Sequence, residues 1–238
     1  MSDLLANLNP EQLAAVTLPP QHALILAGAG SGKTRVLTTR IAWLISTGQV
    51  GPHGILAVTF TNKAAKEMLA RLSAMLPMHF GHSARGMWIG TFHGLCNRLL
   101  RAHHREAALP ATFQILDSAD QLSAIKRLLK NLNVDDEKYP PRELAHFINA
   151  HKEQGIRAAQ AEVYDDYTQR RVDLYAEYDA QCQREGVVDF AELLLRTYEL
   201  LCRNEPLRRH YQERFRHILV DEFQDTNRLQ YAWLKLLA

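Results

Sequence analysis

A glycine-rich loop between two apolar segments constrains this chain more than any other feature. Residues 27–34 read AGAGSGKT, after the apolar residues 23–26 and before a helical apolar pattern through Val36, Leu37 and Ile41. This context predicts a buried strand that turns through glycines into an amphipathic helix. The backbone N–H groups of such a loop and the positive end of the helix form an anion site. The loop therefore predicts a binding site for nucleotide phosphates.

Two side chains at the end of the loop have the chemistry that nucleotide binding requires. Lys33 is expected to reach the β and γ phosphates, and the Thr34 hydroxyl to bind Mg²⁺. An ordinary glycine-rich connection is the alternative, which a lysine and a threonine at this junction disfavour. Alanine stands where the usual pattern begins with glycine, but three glycines follow it. The predicted nucleotide-binding residues of the loop are Ala27, Gly28, Ala29, Gly30, Ser31, Gly32, Lys33 and Thr34.

A pair of carboxylates follows an apolar run near the end of the sequence. Residues 217–220 are predicted to form a strand, and Asp221 and Glu222 come directly after it. A phosphate loop requires a second anchor for magnesium and a base for the attacking water. Asp221 fits the first role and Glu222 fits the second. Together with Lys33, these two residues are the predicted catalytic group.

A capped helix start lies upstream of the phosphate loop. Asn9 is the predicted cap and Pro10 the first helical residue, which places Gln12 one turn into the helix. A side-chain amide both donates and accepts hydrogen bonds, so Gln12 can recognise an adenine edge. A plain capped helix with no role in binding is the alternative for Gln12.

Two further predicted strands, residues 55–58 and 87–90, end in the same pattern of threonine, phenylalanine and polar residue. Rings stack bases, whereas hydroxyls, amides and helix starts contact phosphates. The repeated pattern predicts a track for single-stranded nucleic acid. The alternatives are a core position for Phe60 and an ordinary surface position for His93. The residues predicted to contact DNA are Phe60, Thr61, Asn62, Thr91, Phe92 and His93.

Between about residues 95 and 215 the strand and helix alternation nearly stops, which predicts a helical subdomain inserted into an α/β sheet. Phe190 opens one of its helices and is a third candidate for base stacking, although buried packing is equally plausible. Two basic clusters are either solvated helix faces or phosphate-tracking faces. They comprise Arg98, Arg101 and Arg105, and Lys126, Arg127 and Lys130. The predicted helices are 95–104, 118–132, 141–151, 164–184, 190–202 and 206–215, with 113–116 extended and a final helix at 226–237.

Composition narrows the class of protein further. The 238 residues carry 28 Lys and Arg against 26 Asp and Glu, so the overall charge is nearly balanced. A surface that binds nucleic acid would therefore have to be a local cluster of basic residues. Three scattered cysteines without CxxC spacing indicate reduced thiols in a cytosolic protein. No leader or membrane-spanning run is evident in the sequence. His79 and His82, in a polar loop at 77–86, have no neighbouring ligand and are expected to be solvated rather than to bind metal.

These motifs, in this order and spacing, resemble the superfamily 1 DNA helicases of the UvrD, PcrA and Rep group along the whole chain. The resemblance implies that Gln12 belongs to the Q motif and that Arg35 also contacts the nucleotide. Residues 59–65 are similar to motif Ia and residues 90–93 to motif Ib, which line single-stranded DNA. Residues 221–225 are similar to motif II, which adds Gln224 to the nucleotide site. The segment at Phe190 is similar to a DNA-contacting segment of the inserted subdomain.

By this resemblance the fold is α/β, with a RecA-like P-loop parallel sheet and an inserted, mainly helical subdomain. Residues 1–91 are the first part of subdomain 1A, residues 92–213 are subdomain 1B, and residues 214–238 return to 1A. The implied cofactors are ATP and Mg²⁺. The implied partners are single-stranded DNA, single/double-strand junctions and repair proteins, without a membrane, and the implied location is the cytoplasm at the nucleoid.

The resemblance covers only the first part of such a helicase, an ATP-dependent 3′ to 5′ motor of DNA repair. The family's second RecA-like domain, which supplies arginines to the γ-phosphate, does not occur in these 238 residues. We therefore expect poor ATP hydrolysis, no unwinding and self-association of the chain alone. A DNA-binding or protein-interaction module without turnover is one alternative. A P-loop ATPase unrelated to nucleic acid is another, which the two aromatic strand ends disfavour.

Overall fold

The structure is a computed structural model that describes residues 2–76 and 86–238. The loop predicted at 77–86, with His79 and His82, therefore lies outside the described residues except for Gly86. The chain forms two compact units. The first unit comprises the described residues of Met1–Leu95 together with Pro206–Asp225 and Leu237–Ala238. The second unit comprises Cys96–Glu205 and Thr226–Leu236.

The first unit is built on a parallel sheet of three strands, β1 (Ile55–Thr59), β2 (Trp88–Thr91) and β5 (His217–Val220). Strand β1 lies in the middle, where Val58 pairs with Val220 and Thr59 pairs with Thr91. All five residues of β1 are buried, as expected for a strand covered on both faces. Because the three strands are parallel, their carboxyl ends meet at one edge of the sheet. The α/β fold class with a parallel sheet is confirmed.

Helices of the first unit cover this sheet with apolar side chains. Ile41 and Leu44 of one helix pack with Met68 and Leu72 of another in the core. Both helices begin immediately after a predicted turn or strand end, as the sequence pattern indicates. The helices are α1 (Ser2–Leu5), α2 (Pro10–Val16), α3 (Lys33–Ser46), α4 (Asn62–Met75) and α10 (Glu205–Arg214), with 3-10 turns at Pro52–Gly54 and Phe223–Asp225.

The strand predicted at residues 23–26 is wrong. This segment has no assigned strand, and Leu24, Ile25 and Leu26 expose 67%, 46% and 86% of their surface. A strand forms only where a neighbouring strand offers backbone donors and acceptors. The ladders among the described residues join only β1 with β2 and β5 in the first unit, so none reaches this segment. An apolar run predicts that a segment can be buried, but it does not supply the partner.

The second unit is mainly helical, as predicted. Its core includes Ile125, Ile148, Leu174 and Tyr178, which come from three different helices. A short parallel ladder pairs Leu116 with Asp189, and only the first of its two strands was predicted. The elements are α5 (Phe92–Ala102), which begins in the first unit, β3 (Gln114–Leu116), α6 (Ser118–Asn131), α7 (Pro141–Glu153), a 3-10 turn at Ala158–Gln160, α8 (Asp166–Glu185), β4 (Val187–Asp189), α9 (Phe190–Arg203) and α11 (Arg228–Leu237).

The predicted helices agree with the observed ones to within about three residues at each end, which is a normal margin for helix boundaries. The longest, Asp166–Glu185, has 20 residues and many charges. In the part of the chain that the structure describes, no helix is long and apolar enough to cross a bilayer.

Candidate functional site

The phosphate loop turns through two glycines with left-handed backbone conformations. Gly30 has a φ of 75° and Gly32 a φ of 81°, values that residues with a Cβ atom rarely adopt. A Cβ atom at Gly32 would also lie 3.2 Å from Nε2 of Gln12. Gly32 is the N-cap of α3, so the first N–H groups of that helix open at the end of the loop. A glycine turn that leads into a helix N-terminus can bind an anion.

The ammonium group of Lys33 lies inside the loop. Its Nζ donates to the carbonyl oxygens of Ala27 and Gly28, both at 3.3 Å. Ser31 closes the same turn, because its hydroxyl donates to the carbonyl of Gly28 at 2.7 Å. A cation held against the concave side of a phosphate loop is placed to neutralise an oxyanion bound there.

Gln12 is joined to the phosphate loop by its side chain. Its Nε2 donates to the carbonyl of Ser31 at 3.0 Å. Its Oε1 accepts from the backbone N–H of Asn9 at 3.1 Å, and the Asn9 side chain accepts in return from the backbone N–H of Gln12 at 2.8 Å. This reciprocal pair is a capping box, which fixes the start of α2. The predicted adenine contact of Gln12 is not tested by this geometry, in which both amide ends have protein partners.

Thr34 and Asp221 bring the loop and the last strand of the sheet together. The Thr34 hydroxyl lies 3.3 Å from Oδ2 of Asp221. The backbone N–H of Asp221 continues the ladder by donating to the carbonyl of Val58 at 2.9 Å. Burial raises the pKa of the Asp221 carboxyl above its ordinary value, the Thr34 hydroxyl lowers it, and the charge of Glu222 raises it further. A hydroxyl and a carboxylate at this separation form an oxygen pair of the kind that Mg²⁺ prefers.

Glu222 has an unusual backbone conformation. Its φ of 52° lies in the left-handed region, which is unfavourable for a residue with a side chain and is common at functional sites. The side-chain amide of Gln224 donates to the carboxylate of Glu222, and the N–H of Asp225 donates to the Glu222 carbonyl at 2.9 Å. The backbone therefore departs from the direction of the strand at Glu222, and the Gln224 amide holds the carboxylate.

Arg35 contacts the backbone of the segment that precedes α2. Its Nη2 donates to the carbonyl of Asn7 at 2.9 Å, so the guanidinium ties the segment before α2 to helix α3. The resemblance implied a nucleotide contact for Arg35, which the described contacts do not test.

The two aromatic strand ends lie side by side, as their parallel strands require. The rings of Phe60 and Phe92 meet edge to face with centroids 5.7 Å apart. Phe60 is partly exposed, whereas Phe92 is only 1% exposed. The predicted stacking contact of Phe92 thus disagrees with its burial, because a ring in the core supports Phe60 but offers no face to a base.

The polar residues at these strand ends organise the helices that follow. The Thr61 hydroxyl accepts from the backbone N–H of Ala64 at 3.1 Å, and the Thr91 hydroxyl accepts from that of Gly94 at 3.2 Å. Asn62 is exposed, and His93 is partly exposed. Thr61 and Asn62 follow Phe60 in the chain, and Thr91 and His93 lie at the end of the neighbouring strand. All four stand at helix starts, where phosphates bind readily.

In the second unit, Phe190 begins α9 and is 48% exposed. The sequence left two interpretations open for Phe190, base stacking and buried packing at the helix start. Its exposure argues against the second. The basic clusters are partly engaged: the guanidinium of Arg101 lies 3.6 Å from the ring centroid of Phe113, and Arg127 pairs with Glu185 at 3.0 Å.

Comparison with known proteins decides the family. The sequence pattern of the UvrD/REP helicase N-terminal domain matches residues 8–238, which is nearly the whole chain. The chain belongs to the UvrD/REP helicase family. Among the relatives of this UvrD/REP chain, DNA helicase II of Haemophilus influenzae is 52% identical over 239 residues. DNA helicase II of Escherichia coli is also 52% identical, and the ATP-dependent DNA helicase PcrA of Staphylococcus epidermidis is 42% identical over 240 residues.

Each alignment covers 100% of this UvrD/REP helicase chain but only 32–33% of the relative. The chain thus spans about a third of the length of these relatives. The match confirms the sequence-based assignment to the family and to its N-terminal portion.

Sequence reasoning missed two features of these sites. The capping box between Asn9 and Gln12 was detectable, because a cap followed three residues later by glutamine is its signature. The second feature is a buried group of ions behind Phe190, in which Lys152 contacts Asp189. Its members are far apart in the chain, so no local pattern indicates it.

Proposed function

We propose that this chain is the N-terminal, ATP- and single-stranded-DNA-binding portion of an ATP-dependent 3′ to 5′ DNA helicase acting in DNA repair. The observation that carries the proposal is the approach of the Thr34 hydroxyl to Oδ2 of Asp221, at 3.3 Å. It joins a phosphate loop and an acidic strand end, the two halves of a magnesium-nucleotide site. The names of the relatives support the helicase assignment, and the polarity and the repair role rest on the family resemblance.

In this proposal ATP binds along the loop of residues 27–34. The first N–H groups of α3 and the Lys33 ammonium would hold the phosphates, and Gln12 is the proposed contact of the adenine. Thr34 and Asp221 would hold Mg²⁺, which neutralises phosphate charge when bound. Gln224 and Arg35 complete the proposed nucleotide-binding set.

Glu222 is the proposed base for the attacking water. Its negative charge raises the pKa of the adjacent Asp221 carboxyl, so the Glu222 carboxylate lies near the proposed magnesium ligand. The hydrogen bond from Gln224 restrains that carboxylate, and restraint of a base favours a single direction of attack. Water attacks the γ-phosphate and its proton passes to the Glu222 carboxylate, while the bond between the γ-phosphorus and the bridging β-phosphate oxygen breaks and releases ADP and phosphate.

Single-stranded DNA is the proposed second ligand of the first unit. Phe60 offers a partly exposed ring supported by the buried Phe92, and the threonines, Asn62 and His93 lie at adjacent helix starts. One ring with phosphate-binding groups beside it suits a stacked base and its backbone. Phe190 is the proposed stacking residue of the second unit.

We further propose that this chain alone hydrolyses ATP slowly and does not unwind DNA. An arginine supplied by another domain accelerates phosphoryl transfer by about a thousandfold or more. Such a residue is proposed to lie in the portion of the relatives that this chain does not match. Single/double-strand junctions and repair proteins are the proposed partners of the longer protein.

Two titrations of the same preparation test the proposal. A fluorescent ATP analogue with Mg²⁺ should bind the chain, and Lys33→Ala should weaken that binding by roughly 10-fold or more, because a charged hydrogen-bonding partner of the phosphates is lost. A fluorescent single-stranded oligonucleotide should bind, and Phe60→Ala should weaken that binding.

The outcomes separate the proposal from its alternatives. Oligonucleotide binding without any nucleotide binding would indicate a DNA-binding module without turnover. Nucleotide binding without oligonucleotide binding would indicate a P-loop ATPase unrelated to nucleic acid. Glu222→Gln can also be introduced into a longer helicase that contains this sequence. Unwinding of DNA at the normal rate by that variant would contradict the assignment of Glu222 as the base.

A further inference from the structure

A fully buried lysine lies at the centre of the second unit. Lys152 is 1% exposed, and its Nζ lies 2.9 Å from a carboxylate oxygen of each of Asp179, Asp189 and Glu192. Burial alone would lower the pKa of Lys152, but Glu192, Asp189 and Asp179 outweigh it and hold the pKa well above its ordinary value. The ammonium is therefore charged, and all three of its protons have carboxylate partners.

Two arginines complete this group, which we call the Lys152 network. Arg157 binds Glu192 at 2.7 Å and Glu199 at 2.7 Å, and Arg196 binds Glu192 at 2.7 Å. The network joins α7, α8 and α9, with Arg157 placed between α7 and α8. Its members are Lys152, Arg157, Arg196, Asp179, Asp189, Glu192 and Glu199.

The two carboxylate oxygens of Asp189 accept hydrogen bonds from different donors. Oδ1 accepts from the backbone N–H of Glu192 at 2.7 Å, which caps the first turn of α9. Oδ2 accepts from Lys152 at 2.9 Å and from the Tyr178 hydroxyl at 2.9 Å, and the Gln121 amide lies 3.4 Å away. The cap of α9 is thus clamped from behind by donors on α6, α7 and α8.

Phe190 is the exception in this buried segment. From Val188 to Leu195 every residue is buried except Phe190, which is 48% exposed. Asp189 on one side is 2% exposed and Ala191 on the other is 7% exposed. A large ring is therefore held at the surface by a helix start whose neighbouring residues are buried and whose cap is hydrogen-bonded.

We propose that Asp189, clamped by Lys152 and Tyr178, is a positioning residue that presents the Phe190 ring to a base of single-stranded DNA. This inference rests on the proposed function of the chain as a DNA-binding portion of a helicase. A fixed ring binds a base more tightly than a mobile one, because less conformational entropy is lost on binding. The network also neutralises most of the carboxylate charge near the ring, which limits its repulsion of DNA phosphates.

The competing interpretation is that the Lys152 network serves stability alone. Buried ion pairs are weak evidence for stability, because desolvation offsets much of their attraction. The experiment therefore has to separate an effect that acts through Phe190 from a general loss of stability.

Two tyrosines on α8 provide matched variants. Tyr178→Phe removes the hydroxyl that donates to Asp189. Tyr175→Phe removes a hydroxyl that donates instead to the carbonyl of Ile156 at 3.0 Å. Both rings are buried and neither change alters the net charge. The pair therefore compares loss of the Tyr178 hydroxyl, which contacts Asp189 and Cys182, with loss of a hydroxyl on the same helix that contacts neither.

The binding of a fluorescent oligothymidine to the full 238-residue chain is measured for each variant, alone and combined with Phe190→Ala. Base stacking contributes about 1–3 kcal/mol, so Phe190→Ala should weaken binding roughly 5- to 150-fold. Tyr178→Phe should weaken it about threefold and have no effect in the Phe190→Ala background. Tyr175→Phe should leave it unchanged. Equal losses from the two tyrosine variants, or a loss from Tyr178→Phe that persists without Phe190, would overturn the proposal.

Amide hydrogen exchange of the same proteins without DNA tests the clamp independently. Tyr178→Phe should speed exchange at the N–H of Glu192, and Tyr175→Phe should not. If Tyr178→Phe speeds exchange at Glu192 but the chain binds no oligonucleotide, the contact between Tyr178 and Asp189 does fix the start of α9. The proposed DNA-binding function and the presentation of the ring would then both be overturned. Unchanged exchange at Glu192 would overturn the clamp itself, whatever the chain binds.

Discussion

The hydroxyl of Thr34 and the carboxylate of Asp221 lie 3.3 Å apart although 187 positions separate them in the sequence. The sheet produces this approach. Strand β5 pairs with β1, and the N–H of Asp221 extends that pairing by one residue. The carboxylate is therefore delivered to the carboxyl edge of the sheet, where ligands of open α/β sheets bind.

Replacing Asp221 with asparagine should weaken binding of Mg²⁺-ATP while leaving binding of metal-free ATP nearly unchanged. The reason is that the amide removes the negative charge of a proposed Mg²⁺ ligand. Loss of one charged contact corresponds to about 1.5–3 kcal/mol, or roughly 10- to 150-fold in affinity. Titration of a fluorescent ATP analogue with and without a chelator measures both. The matched control is Glu67→Gln, which alters an exposed ion pair of the same unit; equal losses in both variants would refute the assignment.

Replacing Asn9 with alanine should lower the free energy of unfolding of the first unit by about 0.5–2 kcal/mol, because the cap of α2 is lost. It should also weaken ATP binding, since the capping box orients Gln12. Urea denaturation and analogue binding measure the two effects. Asn9→Asp keeps the acceptor and should retain stability. If Asn9→Ala proved as stable as the parent chain, the capping box would have no energetic role.

The chain should self-associate through its exposed apolar segment. Leu24 and Leu26 expose 67% and 86% of their surface, and a contiguous apolar patch favours association. Replacing both with serine should shift sedimentation velocity profiles toward monomer. Leu132→Ser, at an isolated position that is 37% exposed, should not. A parent chain that sediments as a single monomeric species at all concentrations would contradict the prediction.

Acid should destabilise the second unit through Glu192. Burial favours its neutral form, but Lys152 and Arg157 outweigh burial and hold the pKa of Glu192 well below its ordinary value of 4.5. Its folded pKa is below its unfolded pKa, so its stabilisation is complete above pH 4.5 and is lost as the pH falls toward the folded value. Asp179 opposes this in part, because burial raises its pKa.

Glu192→Gln tests this linkage. The variant should be less stable than the parent chain at neutral pH, and its free energy of unfolding should fall less steeply below pH 4.5. Glu185→Gln, which removes one partner of a surface ion pair, should behave like the parent. If the free energy of unfolding fell equally steeply with pH in Glu192→Gln and in the parent chain, Glu192 would not be the cause of the loss of stability in acid.

Removing the central cation should destabilise the chain strongly. Lys152→Met leaves three buried or partly buried carboxylates without their shared partner, and breaking a buried ion pair costs about 3–5 kcal/mol. Lys130→Met, on the exposed face of α6, should change stability by about 0.5 kcal/mol or less. The midpoint of chemical denaturation measures both, and similar midpoints would contradict the prediction.

Local sequence patterns predicted most of the elements. The periodicity in residues 118–132 and 190–202 reappears as helices at Ser118–Asn131 and Phe190–Arg203. Glycine spacing predicted the turn before α3, because positive φ values at Gly30 and Gly32 are a property of residue type. The sequence also predicted that the carboxylates after β5 serve the phosphate loop, since the strand ends of a parallel sheet share one edge.

Pairing and burial were decided by tertiary structure. Residues 23–26 have the composition of a core strand but pair with no strand among the residues that the structure describes. Phe92 has the same local pattern as Phe60 but lies in the core. The Lys152 network joins residues from positions 152 to 199, at separations that no local pattern encodes. The sequence by itself determined which segments can be helices, turns and phosphate-binding loops, because those depend on residues close in the chain. Only the tertiary structure decided which strand pairs, which ring is exposed and which charges meet, because those depend on neighbours that folding brings together.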